Sequence, residues 1–270
     1  MAQGTRRAVR PAADHGGQSD ERLGWRPGPL GIAVTDLPPR VAQEIAPLWR
    51  LAGRGHRQGR TMHCLHRTVD VMLVLATAWL WLPMLGLCCL LVKVDAPAAP
   101  VLFVQQRTGR GGRRFAMYKI RTMVPDAEAR LGEVVHLNQR AWPDFKIARD
   151  PRVTLIGAFL RRCHLDELPQ LLNILRGDMT LVGPRPITLP IEAHEPWQRR
   201  RFDVAPGLTG LWQVVQDEVY DFDLRVRLDL LYVQRSCMVL DLAILALTLD
   251  RVVRSMRGGK RRERRGHRPH

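Results

Sequence analysis

The most informative stretch of this sequence is Arg161-Arg162-Cys163-His164-Leu165-Asp166-Glu167-Leu168-Pro169-Gln170-Leu171-Leu172. Its leucines, continued by Leu175, recur at the spacing that places side chains on one face of a helix. Gly177 follows the last leucine and is a typical C-terminal cap. Pro169 is compatible with a first turn, where backbone N–H groups lack partners within the helix. The spacing therefore predicts a short helix that begins with two adjacent carboxylates.

These carboxylates, Asp166 and Glu167, allow two interpretations. An ionised aspartate can attack phosphorus as a nucleophile. A neighbouring glutamate can hold Mg²⁺, which offsets the negative charge of a phosphoryl group. The alternative is structural, because acidic residues are common in the first turn of a helix, where they complement its dipole. The pair alone does not separate the two interpretations, although Arg161 beside it favours an anion.

Further basic residues lie near glycines and prolines. Apolar segments at 101–105 and 115–120 flank a glycine-rich turn and predict a β-hairpin whose second arm carries Lys119 and is followed by Arg121. The glycines could instead cradle phosphate, but the spacing of a P-loop is missing. In Gly183-Pro184-Arg185-Pro186 the two prolines stiffen the backbone around Arg185. Such a loop is suited to binding phosphate through the guanidinium of Arg185. A surface turn whose arginine binds nothing explains the motif equally well.

A membrane-associated segment is predicted between residues 61 and 95. Val71 to Val92 contains no charged residue over 22 positions, which is long enough for a bilayer core of roughly 30 Å. Pro83 lies in the middle of this run and would break a helix. Basic residues flank the run on both sides, and positive charge prefers the cytoplasmic side. A re-entrant helix broken at Pro83 is therefore favoured over a simple span.

Composition points to an anionic partner. The chain has 270 residues, a formal net charge of +16 and a pI near 11.0, which suits nucleic acid, an acidic membrane or phosphorylated substrates. Residues 251–270 carry nine Lys or Arg and one acid, and we expect this basic tail to hold anionic lipid. No nucleic-acid recognition motif is present, so no nucleic acid is expected. The five cysteines have neither a zinc spacing nor a secreted framework, which favours a reduced environment.

Four regions follow from these patterns. Residues 1–60 are rich in Arg, Gly and Pro and are predicted to be a largely disordered basic arm without a secretory signal, apart from a possible short helix at 41–51 that Pro47 would interrupt. Residues 61–95 form the membrane helix, 96–250 a cytoplasmic catalytic domain, and 251–270 the tail. The predicted fold class is α+β, mainly helical with a small β-hairpin, in a monotopic membrane protein.

The ordered motifs resemble those of the bacterial sugar transferase family, the monotopic polyprenyl-phosphate hexose-1-phosphate transferases. The resemblance covers about residues 66–250. The motifs that carry it are Lys93-Val94-Asp95, Pro100-Val101-Leu102-Phe103, Gln106-Arg107-Thr108-Gly109, Tyr118-Lys119-Ile120-Arg121-Thr122-Met123, Asp150-Pro151-Arg152-Val153-Thr154, Phe159-Leu160-Arg161, Leu165-Asp166-Glu167-Leu168-Pro169-Gln170-Leu171, Leu181-Val182-Gly183-Pro184-Arg185-Pro186 and Pro206-Gly207-Leu208-Thr209-Gly210-Leu211-Trp212-Gln213-Val214.

This resemblance implies a mechanism and a location. Asp166 would attack the β-phosphorus of a UDP-sugar, UMP would leave, and undecaprenyl phosphate would take the sugar phosphate from the aspartate. Glu167 would hold Mg²⁺. The residues that would neutralise phosphates are Lys119, Arg121, Arg161 and Arg185. Pro83 would mark the break of the re-entrant helix, and the catalytic domain would lie on the cytoplasmic face of the bacterial inner membrane.

One departure from the family bears on function. Val215-Gln216-Asp217 stands where the family usually carries Ser-Gly-Arg, so Asp217 replaces a positive charge that could contact nucleotide or sugar. This change keeps a second hypothesis open, a catalytically idle membrane scaffold of the same fold. The sequence does not name the sugar.

Overall fold

The computed structural model describes residues 37–52, 60–139, 143, 145–215 and 221–256. The helices in chain order are α1 (Pro39–Leu51), α2 (Arg60–Ala76), α3 (Ala78–Asp95), α4 (Leu131–Val134), α5 (Leu155–Arg162), α6 (Gln170–Arg176), α7 (Leu211–Val214), α8 (Phe222–Arg235) and α9 (Met238–Met256). The strands are β1 (Leu102–Thr108), β2 (Arg114–Ile120), β3 (Thr180–Val182) and β4 (Gly207–Thr209). The α+β class, mainly helical with a small hairpin, is confirmed.

The predicted hairpin is present. Strands β1 and β2 pair antiparallel from Leu102↔Ile120 to Thr108↔Arg114. Their connection includes a 3₁₀ turn in which Gly111 has a φ of 64°, a left-handed conformation that glycine adopts without strain. The glycines therefore serve the turn, as the spacing indicated. Strands β3 and β4 form a second, parallel pair, and residues 183–206 connect them.

The stretch around the acidic pair folds in two pieces. Leu165–Glu167 is a 3₁₀ turn, and α6 begins only at Gln170. The expectation that Asp166 and Glu167 start the helix itself is therefore wrong by one turn. His164, with a φ of 57°, reverses the chain between α5 and the 3₁₀ turn. Gly177 caps α6 in the left-handed conformation, as predicted.

The apolar segment is interrupted at a different residue from the one predicted. Helices α2 and α3 are separated at Thr77, and α3 continues through Pro83. Pro83 therefore does not mark the break. A proline ring clashes with the carbonyl four residues earlier, and proline has no N–H to donate. Both effects weaken the helix on the N-terminal side of the proline. The interruption at Thr77 lies on this side of Pro83.

Side chains satisfy the backbone at this interruption. The indole Nε1 of Trp81 donates to the carbonyl of Val74 at 2.9 Å, and Thr77 Oγ1 donates to the carbonyl of Leu73 at 2.7 Å. Unpaired carbonyls are costly in an apolar setting. The two donors therefore explain why the bend is tolerated at Thr77.

Helix α3 is, within the described ranges, the one helix long and apolar enough to cross a membrane. Only a narrow stripe of it is covered by protein, formed by Trp81, Cys88 and Val92. Its exposed apolar side chains include Trp79, Leu87 and Leu90. An apolar surface this continuous indicates a contact with lipid or another apolar partner.

The first sixty residues are not disordered throughout. Helix α1 packs against α9, and Ile45 and Leu48 join the largest core cluster. The helix runs through Pro47, because burial of these two side chains offsets one lost hydrogen bond. The possible short helix at 41–51 is therefore confirmed, without the expected interruption at Pro47, and the prediction of a disordered arm is wrong for Leu37–Ala52. Residues 1–36 and 53–59 lie outside the described part of the chain.

The boundary between the catalytic domain and the basic tail also differs from the predicted one. Helix α9 extends to Met256, so the first residues of the predicted tail are helical. Its buried face, Leu240 and Ile244, packs into the same core as α1 and α8. Residues 257–270, with most of the basic charge, lie outside the described residues.

Helix α5 approaches the backbone after β2 so closely that Gly157 is required. A Cβ at Gly157 would lie 2.0 Å from the carbonyl oxygen of Thr122. We expect Gly157→Ala to lower the free energy of unfolding by about 1–3 kcal/mol through overpacking. Thermal unfolding of the purified protein measures this effect.

Gly132→Ala is the matched control, because nothing lies within 4 Å of a Cβ built there. Alanine also favours helix α4. Equal melting temperatures for the two variants would contradict the close approach.

Candidate active site

Glu167 is the centre of the candidate site. Its Oε1 accepts a hydrogen bond from Lys119 Nζ at 3.0 Å and another from Arg185 Nη2 at 2.6 Å. The three residues come from the 3₁₀ turn, from β2 and from the loop after β3. The structure therefore joins two predicted phosphate-binding residues to one predicted metal ligand.

The two carboxyl groups of the pair have opposite electrostatic environments. Burial alone would raise the pKa of Glu167, but the charges and hydrogen bonds of Arg185 and Lys119 outweigh it and hold that pKa well below its usual value. Burial, followed by the negative charge of Glu167, raises the pKa of Asp166, although Lys119, Arg161 and Arg185 oppose the shift. Glu167 is thus a fixed anion, whereas Asp166 is the more basic carboxylate.

Asp166 is buried yet chemically available. Within the described residues its carboxylate accepts no hydrogen bond, in contrast to the two that Glu167 accepts. Lone pairs that no donor occupies can attack an electrophile. The structure therefore separates the pair into one clamped and one open carboxylate.

Arg161 lies on the Asp166 side of the site. Its Nε donates to Thr122 Oγ1 at 2.8 Å, and its positive charge acts on the Asp166 carboxyl group. Arg161 comes from the last turn of α5, and Thr122 follows β2. The structure thus brings Arg161 to the site, as the sequence indicated.

Arg121 takes a different position. Its Nε donates to the carbonyl of Pro100 at 2.9 Å, and its guanidinium lies 5.9 Å from the ring centre of Phe103. Neither acidic residue of the pair is among its contacts. Successive residues of an extended chain point to opposite sides, so Lys119 and Arg121 would share a face in a continuous strand. Strand β2 ends at Ile120, and Arg121 is free to turn towards the other edge.

Arg107 is a residue that the sequence did not single out. Burial and, to a smaller extent, the charge of the neighbouring Arg185 lower the pKa of Arg107 to about 10, with Glu167 opposing. Its Nη1 donates to the Pro186 carbonyl at 3.2 Å, and its Nε is buried without a partner within the described part of the chain. In the sequence, only the place of Arg107 in the Gln106-Arg107-Thr108-Gly109 motif could have indicated that it belongs to the site.

A buried asparagine holds the site's helix against the hairpin. Asn173 of α6 is fully buried, its Nδ2 donates to the Ala116 carbonyl at 2.7 Å, and its Oδ1 accepts from the Tyr118 N–H at 3.1 Å. Both partners belong to the free edge of β2, and Tyr118 is adjacent to Lys119 in the chain. This cross-link keeps the 3₁₀ turn of the acidic pair beside Lys119.

The donor set suits Mg²⁺ better than a metal held by protein alone. Both hydrogen bonds of Glu167 use Oε1, so Oε2 has no donor within the described residues, and the Asp166 carboxylate is open. No group of three or more His, Cys, Asp or Glu side chains that could hold a metal occurs in the described ranges. Mg²⁺ is commonly held by one or two carboxylates together with phosphate oxygens and water.

The comparison with protein families agrees with this geometry. The model described as bacterial sugar transferase matches residues 61–255, a range that includes the re-entrant candidate, the hairpin and the acidic pair.

The chain belongs to the bacterial sugar transferase family.

Several curated proteins are similar to this family member. It is 42% identical over 166 residues to the galactosyl transferase CpsE of Streptococcus agalactiae, covering 61% of this chain and 37% of that protein. It is 38% identical over 205 residues to the undecaprenyl-phosphate galactose phosphotransferase of Salmonella typhimurium, covering 72% and 42%. It is 37% identical over 191 residues to the exopolysaccharide production protein ExoY of Rhizobium meliloti, covering 69% and 84%.

The relatives differ in length from this sugar transferase. The match spans about two fifths of the first two proteins and most of ExoY. Asp217, which stands where the family usually has arginine, lies outside the described residues.

Replacing Asn173 tests the cross-link between α6 and β2. Asn173→Leu keeps the side-chain size but leaves the Ala116 carbonyl and the Tyr118 N–H without partners. Each buried unpaired group costs about 1–3 kcal/mol, so we expect a loss of roughly 2–6 kcal/mol in the free energy of unfolding. Chemical denaturation measures it.

Asn138→Leu is the control, because the Oδ1 of Asn138 accepts from the Lys146 N–H in an exposed segment. A smaller loss is expected there. A free energy of unfolding for Asn173→Leu equal to that of the control would show that the cross-link is dispensable.

Proposed function

We propose that this protein transfers a hexose-1-phosphate from a UDP-sugar to undecaprenyl phosphate through a covalent intermediate on Asp166. The observation that carries the proposal is the open, buried Asp166 carboxylate beside a Glu167 that Lys119 and Arg185 hold ionised. Family membership and the printed names of relatives, undecaprenyl-phosphate galactose and glucose phosphotransferases, support the same reaction class.

The first half-reaction forms a bond between Asp166 and the β-phosphorus of the UDP-sugar. A carboxylate oxygen attacks, the bond from that phosphorus to the bridging oxygen breaks, and UMP leaves with the electron pair. The raised pKa of Asp166 reflects a more basic oxygen than that of an ordinary aspartate. Arg161, Lys119 and Arg185 lower the repulsion between the carboxylate and the diphosphate.

The second half-reaction regenerates the carboxylate. A phosphate oxygen of undecaprenyl phosphate attacks the same phosphorus, and the bond to the Asp166 oxygen breaks. The product is a diphosphate-linked sugar on the lipid carrier. Because one aspartate serves both steps, each attacking group meets the same cluster of cations.

A bound Mg²⁺ would supply further charge neutralisation on the diphosphate. Glu167 Oε2 is its expected ligand, with substrate oxygens completing the shell. The two basic residues on Oε1 keep the Glu167 carboxylate oriented with or without the ion.

The packing of the apolar helices supports a re-entrant arrangement. The middle of α2 contacts the catalytic domain, where Arg67 Nη2 donates to the Leu175 carbonyl at 2.8 Å. The end of α3 contacts the same domain, where Cys88 and Val92 pack with Ile120 and Leu160. A straight helix would separate Arg67 from Val92 by roughly 38 Å, which is more than the thickness of a bilayer core of about 30 Å.

The proposed location is the cytoplasmic face of the bacterial inner membrane. The exposed apolar side chains of α3 would contact lipid, and Leu155 and Phe159 on α5 add apolar surface beside it. Basic flanks and the tail at 251–270 would attract anionic headgroups. This placement lets the lipid carrier reach Asp166 from the membrane.

Asp166→Asn tests the nucleophile. An amide at this position cannot form the acyl phosphate intermediate. We therefore expect release of UMP from UDP-sugars to fall by at least about a thousandfold. Membranes or nanodiscs are assayed with a panel of UDP-hexoses, Mg²⁺ and polyprenyl phosphate. A radiolabelled sugar phosphate should remain on wild-type protein when the lipid acceptor is omitted.

Asp126→Asn is the matched control, because Asp126 is exposed on the segment after β2. Its UMP release should equal that of the wild type. Full activity of the Asp166 variant would exclude the covalent mechanism, and a wild-type protein inactive with every UDP-sugar would favour the idle scaffold.

Tags at residues 1 and 270 test the membrane arrangement. Because a re-entrant helix returns to the side it entered, both tags should be protected from external protease in intact spheroplasts. A tag engineered on a known periplasmic protein provides the control for access. Cleavage of one terminal tag and protection of the other would establish a simple span.

A further inference from the structure

The segment at residues 184–189, which carries Arg185, is held by its backbone. Its six consecutive carbonyls accept hydrogen bonds from residues outside this segment. The donors, in order from Pro184 to Leu189, are Gly207 N, Arg201 Nη2, Arg107 Nη1, Thr108 N, Arg114 Nη1 and Thr108 Oγ1. The hairpin provides four of these donors, whereas the carbonyl of Arg185 itself accepts from Arg201 and from no other group in the described ranges.

Arg201 is fixed by a buried partner. Its Nη2 donates to Asp229 Oδ2 at 2.5 Å and to the Arg185 carbonyl at 3.0 Å. The Arg201 side chain is 4% exposed and that of Asp229 is 1% exposed. One nitrogen therefore connects helix α8 to the backbone that presents the Arg185 guanidinium to Glu167.

Burying this ion pair carries an unfavourable desolvation energy. Burial raises the pKa of Asp229 to about 6, with the charges of Arg201 and Arg225 opposing. Its Oδ1 is buried without a hydrogen bond within the described residues. Apolar residues of similar volume often replace such a pair without loss of stability. Stability alone is therefore a weak reason for its presence.

We propose that Arg201 and Asp229 are positioning residues, which hold the Arg185 backbone so that its guanidinium meets the phosphates of the substrate. This role rests on the proposed function, because it gives Arg185 a phosphate to bind. Arg185 is anchored at its tip by Glu167 and at its backbone by Arg201. With both anchors its guanidinium has one position before substrate arrives, which lowers the cost of binding.

Apolar replacement of the pair separates positioning from stability. The variants are Arg201→Met, Asp229→Leu and the double variant, with Arg200→Met as an exposed control on the same turn. Each single change leaves a buried group unpaired, so both should lower the Tm. The double variant should recover the Tm of the wild type, yet lose about tenfold to a hundredfold in kcat/KM for UMP release because Arg185 is displaced.

The double variant can overturn the proposal directly. A folded double variant with the kcat/KM of the wild type would show that the pair does not position Arg185. If the double variant does not fold, Arg201→Lys takes its place. Lysine keeps the charge, but its side chain ends one atom short of the Nη2 position and so does not reach both acceptors as Nη2 does. A wild-type kcat/KM in this variant would therefore also overturn the proposal.

A double-mutant cycle tests whether Arg201 affects kcat/KM by positioning Arg185. In an Arg185→Lys background, Arg201→Lys should cause less than about a twofold further loss, because the residue it positions has changed. An equal fold loss in both backgrounds would identify a general structural effect and contradict the positioning role.

UDP binding distinguishes failure of this proposal from failure of the proposed reaction. If wild-type protein releases no UMP, the reaction is excluded, and the same variants are compared by calorimetric titration with UDP. Weaker UDP binding by the double variant would support positioning, and binding equal to that of the wild type would overturn it.

Discussion

The structure depends on a single carboxylate oxygen that two basic side chains share. Glu167 Oε1 binds Lys119 from the hairpin and Arg185 from the loop after β3, so it connects three segments that are distant in sequence. The charges of Lys119 and Arg185 exceed the cost of burying Glu167 and keep it ionised. Without this anion, two cations would face each other across a partly buried site.

The hairpin is the scaffold that makes this contact possible. One edge of β2 binds Asn173 and so fixes the helix behind the acidic pair. The turn end of the hairpin, through Thr108 and Arg114, binds the loop that carries Arg185. A small antiparallel element thus sets the distance between carboxylates and cations, which is the quantity that phosphoryl chemistry needs most.

The apolar helices are part of the same unit rather than a separate anchor. Arg67 in the middle of α2 and Val92 near the end of α3 both contact the catalytic domain. The interruption at Thr77 keeps its carbonyls paired through Thr77 and Trp81. In the proposed membrane arrangement, these contacts would hold the site at a constant depth relative to the lipid acceptor.

The sequence by itself determined the elements whose signals are local. The leucine spacing and Gly177 predicted α6, the glycines predicted the hairpin turn, and the ordered motifs predicted the family. Local patterns also misplaced features whose energy comes from packing. The helix break lies at Thr77, on the N-terminal side of Pro83, and α3 continues through the proline. Helix α1 runs through Pro47, because the burial of Ile45 and Leu48 outweighs the local preference of proline.

Only the tertiary structure decided how the charged residues are divided. Spacing could not show that Arg121 turns away to Pro100, that Arg107 lies beside Arg185, or that Arg201 holds the loop. Nor could it show that Glu167 is clamped while Asp166 is open. The pKa of a carboxyl group and the direction of a guanidinium depend on burial and on charges brought from distant parts of the chain. The sequence therefore named the candidates, and long-range packing assigned their contacts.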